Sequence, residues 1–287
     1  MSAIDRIAEL VGERYGLNLD PLSEATLHHR LSERAAATKV DGLDGYLALL
    51  ERTPSPGGEW EELLDLITVH ETYFFRDESQ MEALREETLP ALAKSRKDDA
   101  RLRILSAGCS TGEEAYSLAI LVRESHLFEG WDVAIHGTDV SQRCVKSAKH
   151  ATYRPASFRL PNPAPHAFTR VNDRMKVNEP YTSICDFRRH NLLEPMPLVP
   201  AQSYDLILCR NVLLYFREEA RPRLVGHLAR YLRDDGWLFL GHAETLPKEE
   251  KTLASKFVRG ALAYRRAPVR NSDRAPVDRS KKPPSSP

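Results

Sequence analysis

Two periodicities of apolar positions follow one another along this chain. In about the first 70 residues, apolar side chains recur every three or four positions, as they do on one face of an amphipathic helix. The predicted helices are the segment that carries Ile4 to Val11 and ends before Gly16, and residues 22–37, 43–50 and 60–67. The pattern therefore predicts a small all-helical domain over residues 1–70.

From residue 101 onward, apolar runs of strand length alternate with helical segments. The predicted strands are residues 102–106, 133–139, 204–209 and 237–241, and the predicted helices start near Gly112 and Ser141 or span residues 218–232. This alternation is typical of an α/β fold with a doubly wound sheet, expected here over residues 101–266. Prolines and short strand-like runs at 175–177 and 183–187 interrupt the alternation, which predicts an insertion at about residues 155–187.

Composition places the chain among ordinary globular proteins. Its 287 residues are 41% hydrophobic and 29% charged, and 41 Lys and Arg balance 41 Asp and Glu, so no overall basic charge points to nucleic acid. No apolar run is long enough to span a membrane, and the start lacks the pattern of a secretory signal. We therefore expect a cytoplasmic protein without membrane insertion. Residues 267–287 are rich in Pro, Ser and charge, which predicts a disordered tail.

The cysteines give no sign of a metal centre. Their positions are Cys109, Cys144, Cys185 and Cys209, and none of the spacings between them matches a zinc motif or a C-x-x-C pair. We expect reduced cysteines in the core and no metal site.

A turn of small residues joins the first predicted strand to the helix that follows, with the sequence Ser-Ala-Gly-Cys-Ser-Thr-Gly-Glu-Glu at 106–114. Gly and Ser let the backbone approach a bound molecule, and the first free N–H groups of a helix offer donors. Asp139 ends the next predicted strand, where dinucleotide-binding folds place a carboxylate against ribose hydroxyls. Together these features favour an adenosyl ligand, although the turn by itself is also typical of tight helix–sheet packing.

The residues of the turn narrow the choice of adenosyl ligand. Gly108 and Gly112 are four apart and no Lys follows, so neither G-x-G-x-x-G nor G-x-x-x-x-G-K-[ST] is present. Glu113 and Glu114 would repel a polyphosphate, whereas S-adenosylmethionine presents an ammonium and a sulfonium. The alternative interpretation is that the two glutamates only complement the helix dipole.

Four further polar stretches accompany the turn. They are His-Glu-Thr-Tyr-Phe-Phe-Arg at 70–76, Asn-Leu-Leu at 191–193, Cys-Arg-Asn-Val-Leu-Leu-Tyr-Phe at 209–216 and Gly-His-Ala-Glu at 241–244. As a set, these motifs closely resemble the chemotaxis receptor methyltransferases, the CheR family, over about residues 1–266. The resemblance implies an amino-terminal helical domain, a class I S-adenosylmethionine-dependent methyltransferase domain and a small antiparallel β-subdomain inserted in it. It also implies that a linker at 71–100 contributes cofactor contacts.

The resemblance also implies a reaction and a set of site residues. The reaction is methyl transfer from S-adenosylmethionine to glutamate carboxylates of a chemoreceptor, which gives methyl esters and S-adenosylhomocysteine. The implied cofactor contacts are His70, Thr72, Arg76, Glu114, Asp139, Asn191, Leu192, Arg210 and Asn211. We expect Arg76 and the Tyr215 hydroxyl to hold the acceptor carboxylate as catalytic residues. Structural alternatives are a turn cap for Asn191 and an ion pair of Arg210 with Asp205 or Glu244.

The expected partner is the helical cytoplasmic region of a chemoreceptor. We expect this protein itself to be a monomer. His28, Arg30, Arg34 and Lys39 predict a basic strip on one helix of the amino-terminal domain, which would face acidic receptor helices. Two competing interpretations remain: a methyltransferase for nucleic acid or small molecules on the same fold, and a cofactor-binding module that only scaffolds a signalling complex.

Overall fold

The computed structural model describes residues 1–20, 22–55, 57–159, 164–196 and 199–266. The segment 267–287, for which we predict disorder, lies outside the described residues. The described part consists of an amino-terminal helical domain and an α/β domain, with a small β-sheet inserted in the latter.

Four helices form the amino-terminal domain, close to the predicted positions. They are α1 (Ala3–Tyr15), α2 (Glu24–Thr38), α3 (Gly42–Arg52) and α4 (Glu59–Ile67). Ser2 and Asp5 form a capping box that starts α1, because each side chain accepts a hydrogen bond from the other residue's backbone N–H. Leu31, Tyr46 and Trp60 are completely buried between the helices. The apolar stripes of the sequence thus meet in one core.

The basic strip predicted on α2 is wrong, because two of its four members are used inside the domain. Arg34 forms a bidentate ion pair with Glu59, in which Nε donates to Oε1 at 2.7 Å and Nη2 donates to Oε2 at 2.6 Å. Arg30 donates from Nη1 to a backbone carbonyl of α4 at 2.7 Å. Only His28 and Lys39 remain exposed. Sequence spacing shows which face of a helix a residue occupies, but not which neighbour that face meets.

The segment 71–100 contains more helix than the predicted linker. It includes α5 (Glu78–Ala83), a single π-helical turn (Leu84–Thr88) and α6 (Leu89–Ser95), one following the other. Leu84 and Leu89 are fully buried in the same core as the central sheet. Arg96, just after α6, pairs with the fully buried Asp205 at 2.7 Å. This segment is therefore part of the α/β domain and not a free connection.

Ten strands and four further helices complete the described fold. The strands are β1 (Arg101–Ala107), β2 (Asp132–Asp139), β3 (Thr152–Tyr153), β4 (Phe168–Val171), β5 (Arg174–Val177), β6 (Cys185–Arg189), β7 (Tyr204–Cys209), β8 (Leu232–Leu240), β9 (Leu253–Val258) and β10 (Ala261–Arg266). The helices are α7 (Glu113–Glu124), α8 (Gln142–His150), α9 (Glu179–Thr182) and α10 (Arg221–Tyr231).

The central sheet has seven strands in the order β6-β2-β1-β7-β8-β10-β9. The strands from β6 to β8 are parallel, and the hairpin of β9 and β10 adds two antiparallel strands at the edge. The predicted α/β class is confirmed. The hairpin has no clear signal in the sequence, because the four middle residues of β9 are all exposed and buried positions do not alternate with exposed ones.

The insertion is smaller than the predicted range of 155–187. Its sheet has three antiparallel strands in the order β3-β5-β4 and ends with β5. The strand-like run expected at 183–187 corresponds to β6, which pairs with β2 in the central sheet. The run at 183–187 therefore belongs to the central sheet and not to the insertion. The sequence does not show this, because pairing between segments about 50 residues apart leaves no local pattern.

Loss of the Arg34 cation is expected to destabilise the helical domain. In Arg34→Met, the carboxylate of Glu59 would keep only the Tyr46 hydroxyl, which donates to it at 2.7 Å. We expect a loss of about 3 kcal/mol, because breaking one side of a largely buried ion pair leaves a charge uncompensated. Urea unfolding measures this, with Arg52→Met at an exposed position as the control. Equal stability of the two variants would contradict the structural role of Arg34.

Candidate active site

One cavity lies at the carboxyl ends of the parallel strands, where β1 and β7 are neighbours and the strand order reverses. Such a reversal opens a crevice and is the usual ligand site of open α/β sheets. The cavity encloses about 1140 Å³ of empty space including its mouth. All ten predicted site residues line it: His70, Thr72, Arg76, Glu114, Asp139, Asn191, Leu192, Arg210, Asn211 and Tyr215. Their individual roles in binding and catalysis stay predictions.

The turn after β1 forms the floor of the cavity. Gly108 and Gly112 have φ angles of 74° and 98°, and the backbone N–H groups of Gly108 and Cys109 both donate to the carbonyl of Thr138. A Cβ at Gly108 would lie 2.5 Å from a methyl carbon of Val212 in the loop after β7. Glycine is therefore required here for the left-handed backbone and for the close approach of the two loops.

Asp139 is held at the end of β2 by backbone N–H donors. Its Oδ2 accepts from Ser110 at 2.8 Å and its Oδ1 from Ser141 at 2.9 Å. Burial raises the pKa of Asp139, and the two N–H donors act in the opposite direction. Because a carboxylate has further lone pairs, Asp139 can still accept hydrogen bonds from a ligand in the cavity.

Glu114 and Arg210 form a buried ion pair below the cavity. Arg210 Nη1 lies 3.3 Å from Glu114 Oε2, and the Ser106 hydroxyl donates to Glu114 Oε1 at 2.7 Å. The same guanidinium donates to the backbone carbonyl of Arg76 at 2.5 Å and lies 3.8 Å from Asp77. The alternative pairing of Arg210 with Asp205 or Glu244 is therefore wrong.

One polar atom of this network lacks a partner. Burial raises the pKa of Glu114, and the positive charge of Arg210 acts in the opposite direction. Arg210 Nε is buried and has no hydrogen-bond partner among the described residues. Buried polar atoms are normally satisfied, which indicates that the cavity is built for a polar ligand.

The segment around Arg76 has an unusual backbone. Phe75 and Asp77, on either side of Arg76, have φ angles of 56° and 66°, which non-glycine residues rarely adopt. Phe75 is kept in place by burial and by its N–H, which donates to Ser117 at 2.9 Å. Arg76 Nη1 donates to the carbonyl of Glu71 at 2.9 Å, and no other hydrogen bond of its guanidinium to described residues is present. This backbone projects Arg76 into the cavity with donors to spare.

The carboxylate of Glu244 shapes the loop that carries Tyr215. Its Oε2 accepts from the N–H groups of Gly241 and Asn211 at 2.7 and 2.8 Å, and its Oε1 accepts from Leu214 at 3.2 Å. Asn211 itself has a positive φ of 56°. Glu244 belongs to the Gly-His-Ala-Glu motif of the sequence, and the structure gives this motif a concrete function in holding a loop.

Tyr215 is half-buried beside Arg76 and lines the cavity. Burial raises the pKa of Tyr215, while the positive charge of Arg76 acts in the opposite direction. A tyrosine is protonated at neutral pH even without this shift, so the hydroxyl can donate a hydrogen bond.

The remaining predicted contacts also have protein partners. Asn191 accepts from the N–H of Leu193 at 3.1 Å and donates to the carbonyl of Arg14 at 3.0 Å, so it caps this turn, and its contact with the cofactor stays a prediction. Leu192 is 8% exposed and adds an apolar wall. A ring nitrogen of His70 lies 3.0 Å from the Thr68 hydroxyl, and burial lowers the pKa of His70.

The amino-terminal domain closes one side of the cavity, a contribution that the sequence does not signal. Tyr15 at the end of α1 lines it, together with Leu17, Asn18 and Leu19 between α1 and α2. The N–H of Asn18 donates to the carbonyl of Tyr215 at 2.8 Å, and that of Arg217 to Gly16 at 2.8 Å. Because this pairing joins segments about 200 residues apart, no local pattern could have revealed it.

Comparison with known proteins decides the family. A model described as the SAM-binding domain of CheR methyltransferase matches residues 70–260, and one described as the all-alpha domain of CheR methyltransferase matches residues 2–68. The chain belongs to the CheR methyltransferase family. It is a methyltransferase whose cofactor is S-adenosylmethionine, as the resemblance of its motifs implies.

Two curated relatives match this chain over most of their length. A chemotaxis protein methyltransferase of Borreliella burgdorferi is 31% identical over 85% of this chain and 88% of its own. The chemotaxis protein methyltransferase of Salmonella typhimurium is 27% identical over 90% of this chain and 88% of its own. The solved structure of a TehB-like SAM-dependent methyltransferase from Corynebacterium glutamicum aligns with a TM-score of 0.37 at 17% identity, over 66% of this chain and 98% of that one. No helix among the described residues is long and apolar enough to cross a membrane.

Removal of the Glu244 carboxylate is expected to loosen the loop of Tyr215. Glu244→Ala leaves three N–H groups without their acceptor, which costs about 1–3 kcal/mol for each that stays buried. We expect a substantial loss of stability in urea unfolding, a smaller loss in Glu244→Gln, and none in Glu249→Ala at an exposed position. A Glu244→Ala protein as stable as the Glu249→Ala control would show that the carboxylate does not hold this loop.

Cofactor binding is expected to weaken at acidic pH. Burial raises the pKa values of Asp139 and Glu114, so these carboxylates take up protons at a higher pH than ordinary ones. Protonation removes acceptors and negative charge from the cavity. The affinity for S-adenosylhomocysteine should therefore fall as the pH is lowered from neutral into the acidic range, at a higher pH than ordinary carboxylates would give. Calorimetric titrations with S-adenosylhomocysteine at neutral and acidic pH test this prediction. An affinity that rises on acidification would refute the assignment of Asp139 and Glu114 to the cofactor site.

Proposed function

We propose that this methyltransferase transfers the methyl group of S-adenosylmethionine to glutamate side-chain carboxylates of a chemoreceptor, giving methyl esters. The observation that carries this proposal is the pair of donors at the cavity, Arg76 and the Tyr215 hydroxyl, which can meet a carboxylate acceptor. The names of the relatives, chemotaxis protein methyltransferases, support the same substrate class. In this proposal the protein acts as a monomer in the cytoplasm.

The cofactor is assigned to the cavity by its polar groups. Asp139 accepts hydrogen bonds from the ribose hydroxyls, Glu114 attracts the positive end of the molecule, and Leu192 with Asn191 frames the adenine. Arg76 or Arg210 offers donors to its carboxylate. The other proposed cofactor contacts are His70, Thr72 and Asn211. Bound there, S-adenosylmethionine supplies an electrophilic methyl group on a sulfonium.

The proposed chemistry needs no general base. A glutamate side chain is already ionised near pH 7, so no proton has to leave before it attacks. The bond between the carboxylate oxygen and the methyl carbon forms as the carbon–sulfur bond breaks, and the electron pair stays on sulfur. Attack joins an anion and a cation into neutral products, and a cavity with little water favours this step once both are in place.

The enzyme's main task in this proposal is alignment. Arg76 has free donors on a backbone held by its two left-handed neighbours, and Tyr215 stays protonated beside it. Arg76 and the Tyr215 hydroxyl donate hydrogen bonds to the carboxylate of the acceptor glutamate, either to one oxygen each or both to the same oxygen. These hydrogen bonds orient the lone pair that attacks the methyl group. Holding the reactants in this geometry supplies most of the rate enhancement.

One experiment separates this function from its competitors. The protein is incubated with methyl-labelled S-adenosylmethionine and a cytoplasmic chemoreceptor fragment, and the product is treated with mild base. Carboxyl methyl esters release volatile labelled methanol, whereas methylated amines keep their label and a scaffold transfers none. Label that stays on the fragment after base would contradict the proposal, and so would a complete lack of transfer.

Substitutions are expected to separate catalysis from cofactor binding. Tyr215→Phe removes a donor to the acceptor carboxylate, so the turnover number should fall about tenfold or more while the affinity for S-adenosylhomocysteine stays close to that of the parent. Asp139→Ala should chiefly weaken cofactor binding. Methylation kinetics and calorimetry measure both parameters. Equal loss of turnover and affinity in Tyr215→Phe would count against its catalytic role.

A further inference from the structure

The ring of Tyr73 has two guanidinium groups beside it, and one of them belongs to Arg76. The guanidinium carbon of Arg76 lies 5.7 Å from the centre of the Tyr73 ring, and that of Arg159 lies 4.9 Å from it. Cations at such distances are attracted by the face of an aromatic ring. Tyr73 is half-buried, and its hydroxyl forms no hydrogen bond to a described residue. The ring, and not the hydroxyl, therefore makes the contacts with both arginines.

Glu71 binds the same two arginines through different groups. Its backbone carbonyl accepts from Arg76 Nη1 at 2.9 Å, and its carboxylate accepts from Arg159 Nη1 at 2.6 Å. The hydrogen bond from Arg159 lowers the pKa of Glu71, and the charge of Arg76 acts in the same direction. The negative charge of Glu71 thus offsets the repulsion between two cations that approach one ring. We define the arginine–tyrosine cluster as Glu71, Tyr73, Arg76 and Arg159.

The arginine–tyrosine cluster joins the segment before α5 to the inserted sheet. Arg159 lies between β3 and β4, whereas the other members precede α5. Next to Tyr73, the N–H of Phe74 donates to the carbonyl of Ser157 at 2.9 Å. Phe74 is buried and stacks on Phe158, with ring centres 4.9 Å apart, and two more rings of the insertion meet it edge to face at the same distance. The insertion therefore holds the backbone beside Tyr73 as well as its ring.

Arg76 has to be oriented without using up its donors. An arginine side chain has much rotational freedom, which is lost when it binds an acceptor in a defined geometry. A hydrogen bond to the protein restricts the guanidinium but occupies an N–H group. Contact with a ring restricts it and occupies none. With one hydrogen bond and one ring contact among the described residues, Arg76 keeps most of its N–H groups for a ligand.

We propose that Tyr73 is a positioning residue, whose ring orients the guanidinium of Arg76 towards the acceptor carboxylate, and that Arg159 of the insertion holds this ring in place. This inference rests on the proposed function and adds how its catalytic arginine is aligned. Among the described residues, neither Tyr73 nor Arg159 lines the cavity, so both act through Arg76. The ion pair of Arg159 with Glu71 is about half exposed, and such pairs contribute little to stability. Its contribution is to the orientation of the ring.

Four variants test the role of the ring against matched controls. Tyr73→Leu removes the ring, and Tyr73→Phe keeps the ring and removes the hydroxyl. Arg159→Met removes the second guanidinium. Arg154→Met removes an exposed guanidinium of the same connection between β3 and β4, one that has no ion pair to a described residue. Methyl transfer to a cytoplasmic chemoreceptor fragment is measured at saturating S-adenosylmethionine, so that the turnover number is separated from the KM for the fragment.

The turnover number should fall about threefold to tenfold in Tyr73→Leu and about threefold in Arg159→Met, because contact between a cation and a partly exposed ring is a weak interaction. Tyr73→Phe and Arg154→Met should stay within about twofold of the parent. The affinity for S-adenosylhomocysteine should change less than the turnover number. A parent-like turnover number in Tyr73→Leu would overturn the proposal, and so would an equal loss in Tyr73→Phe.

A double-mutant cycle separates positioning from a merely structural effect. In an Arg76→Gln background, Tyr73→Leu should cause almost no further loss of turnover, because the ring acts through the guanidinium that is already absent. A structural defect would instead lower turnover by the same factor in both backgrounds. That second result would show that Tyr73 acts independently of Arg76 and would refute its positioning role.

One measurement does not depend on activity. In protein with isotope-labelled arginine, the Nε–H resonance of Arg76 is identified as the one that Arg76→Lys lacks. This resonance should shift in Tyr73→Leu, because the guanidinium loses its contact with the ring, and should remain in place in Tyr73→Phe. An Arg76 resonance that is identical in the parent and in Tyr73→Leu would contradict the proposed contact.

Base-labile methyl transfer by the parent distinguishes failure of this inference from failure of the proposed function. If the parent forms no base-labile product, the proposed reaction is refuted, and the resonance of Arg76 still reports whether the ring orients it. If the parent forms this product and Tyr73→Leu turns over at the same rate, the positioning role alone is refuted.

Discussion

The buried guanidinium of Arg210 is the interaction on which the candidate site depends. A cation with a side chain only 2% exposed needs partners, and it finds them in Glu114 of α7, Asp77 before α5 and the carbonyl of Arg76. It thereby ties the loop after β7 to the helix after β1 and to the segment that enters from the amino-terminal domain. The cavity exists because these three elements meet around one charge, with Nε left over for a ligand.

Local strain around this charge is consistent with a site that is formed before its ligand arrives. Phe75, Asp77, Ser110 and Asn211 all have positive φ angles, and all four lie in segments that line the cavity. Such conformations persist only where the surrounding structure imposes them. Burial, the three N–H donors to Glu244 and the two to Asp139 provide that support. A preformed site lowers the entropy that has to be lost when cofactor and acceptor are aligned.

The sequence predicted what depends on local pattern. Helix periodicity, strand alternation, the small-residue turn and the carboxylate at the end of β2 are each properties of a short segment, and the resemblance of motifs supplied the residues around them. It could not predict what depends on distant partners. The spacing of residues in α2 predicts a surface strip that includes Arg34, because its pairing with Glu59 leaves no trace in that spacing. The position of β6 and the wall formed by Leu17 and Asn18 were missed for the same reason.

The central claim is that the cavity at the strand-order reversal binds S-adenosylmethionine or its demethylated product. Titration of the purified protein with S-adenosylhomocysteine in a calorimeter tests this most directly. We predict saturable binding at one site per chain, lost when Arg210 is replaced by Met in a protein that remains folded. The absence of saturable heat with the folded parent protein would contradict the assignment of the cavity and everything inferred from it.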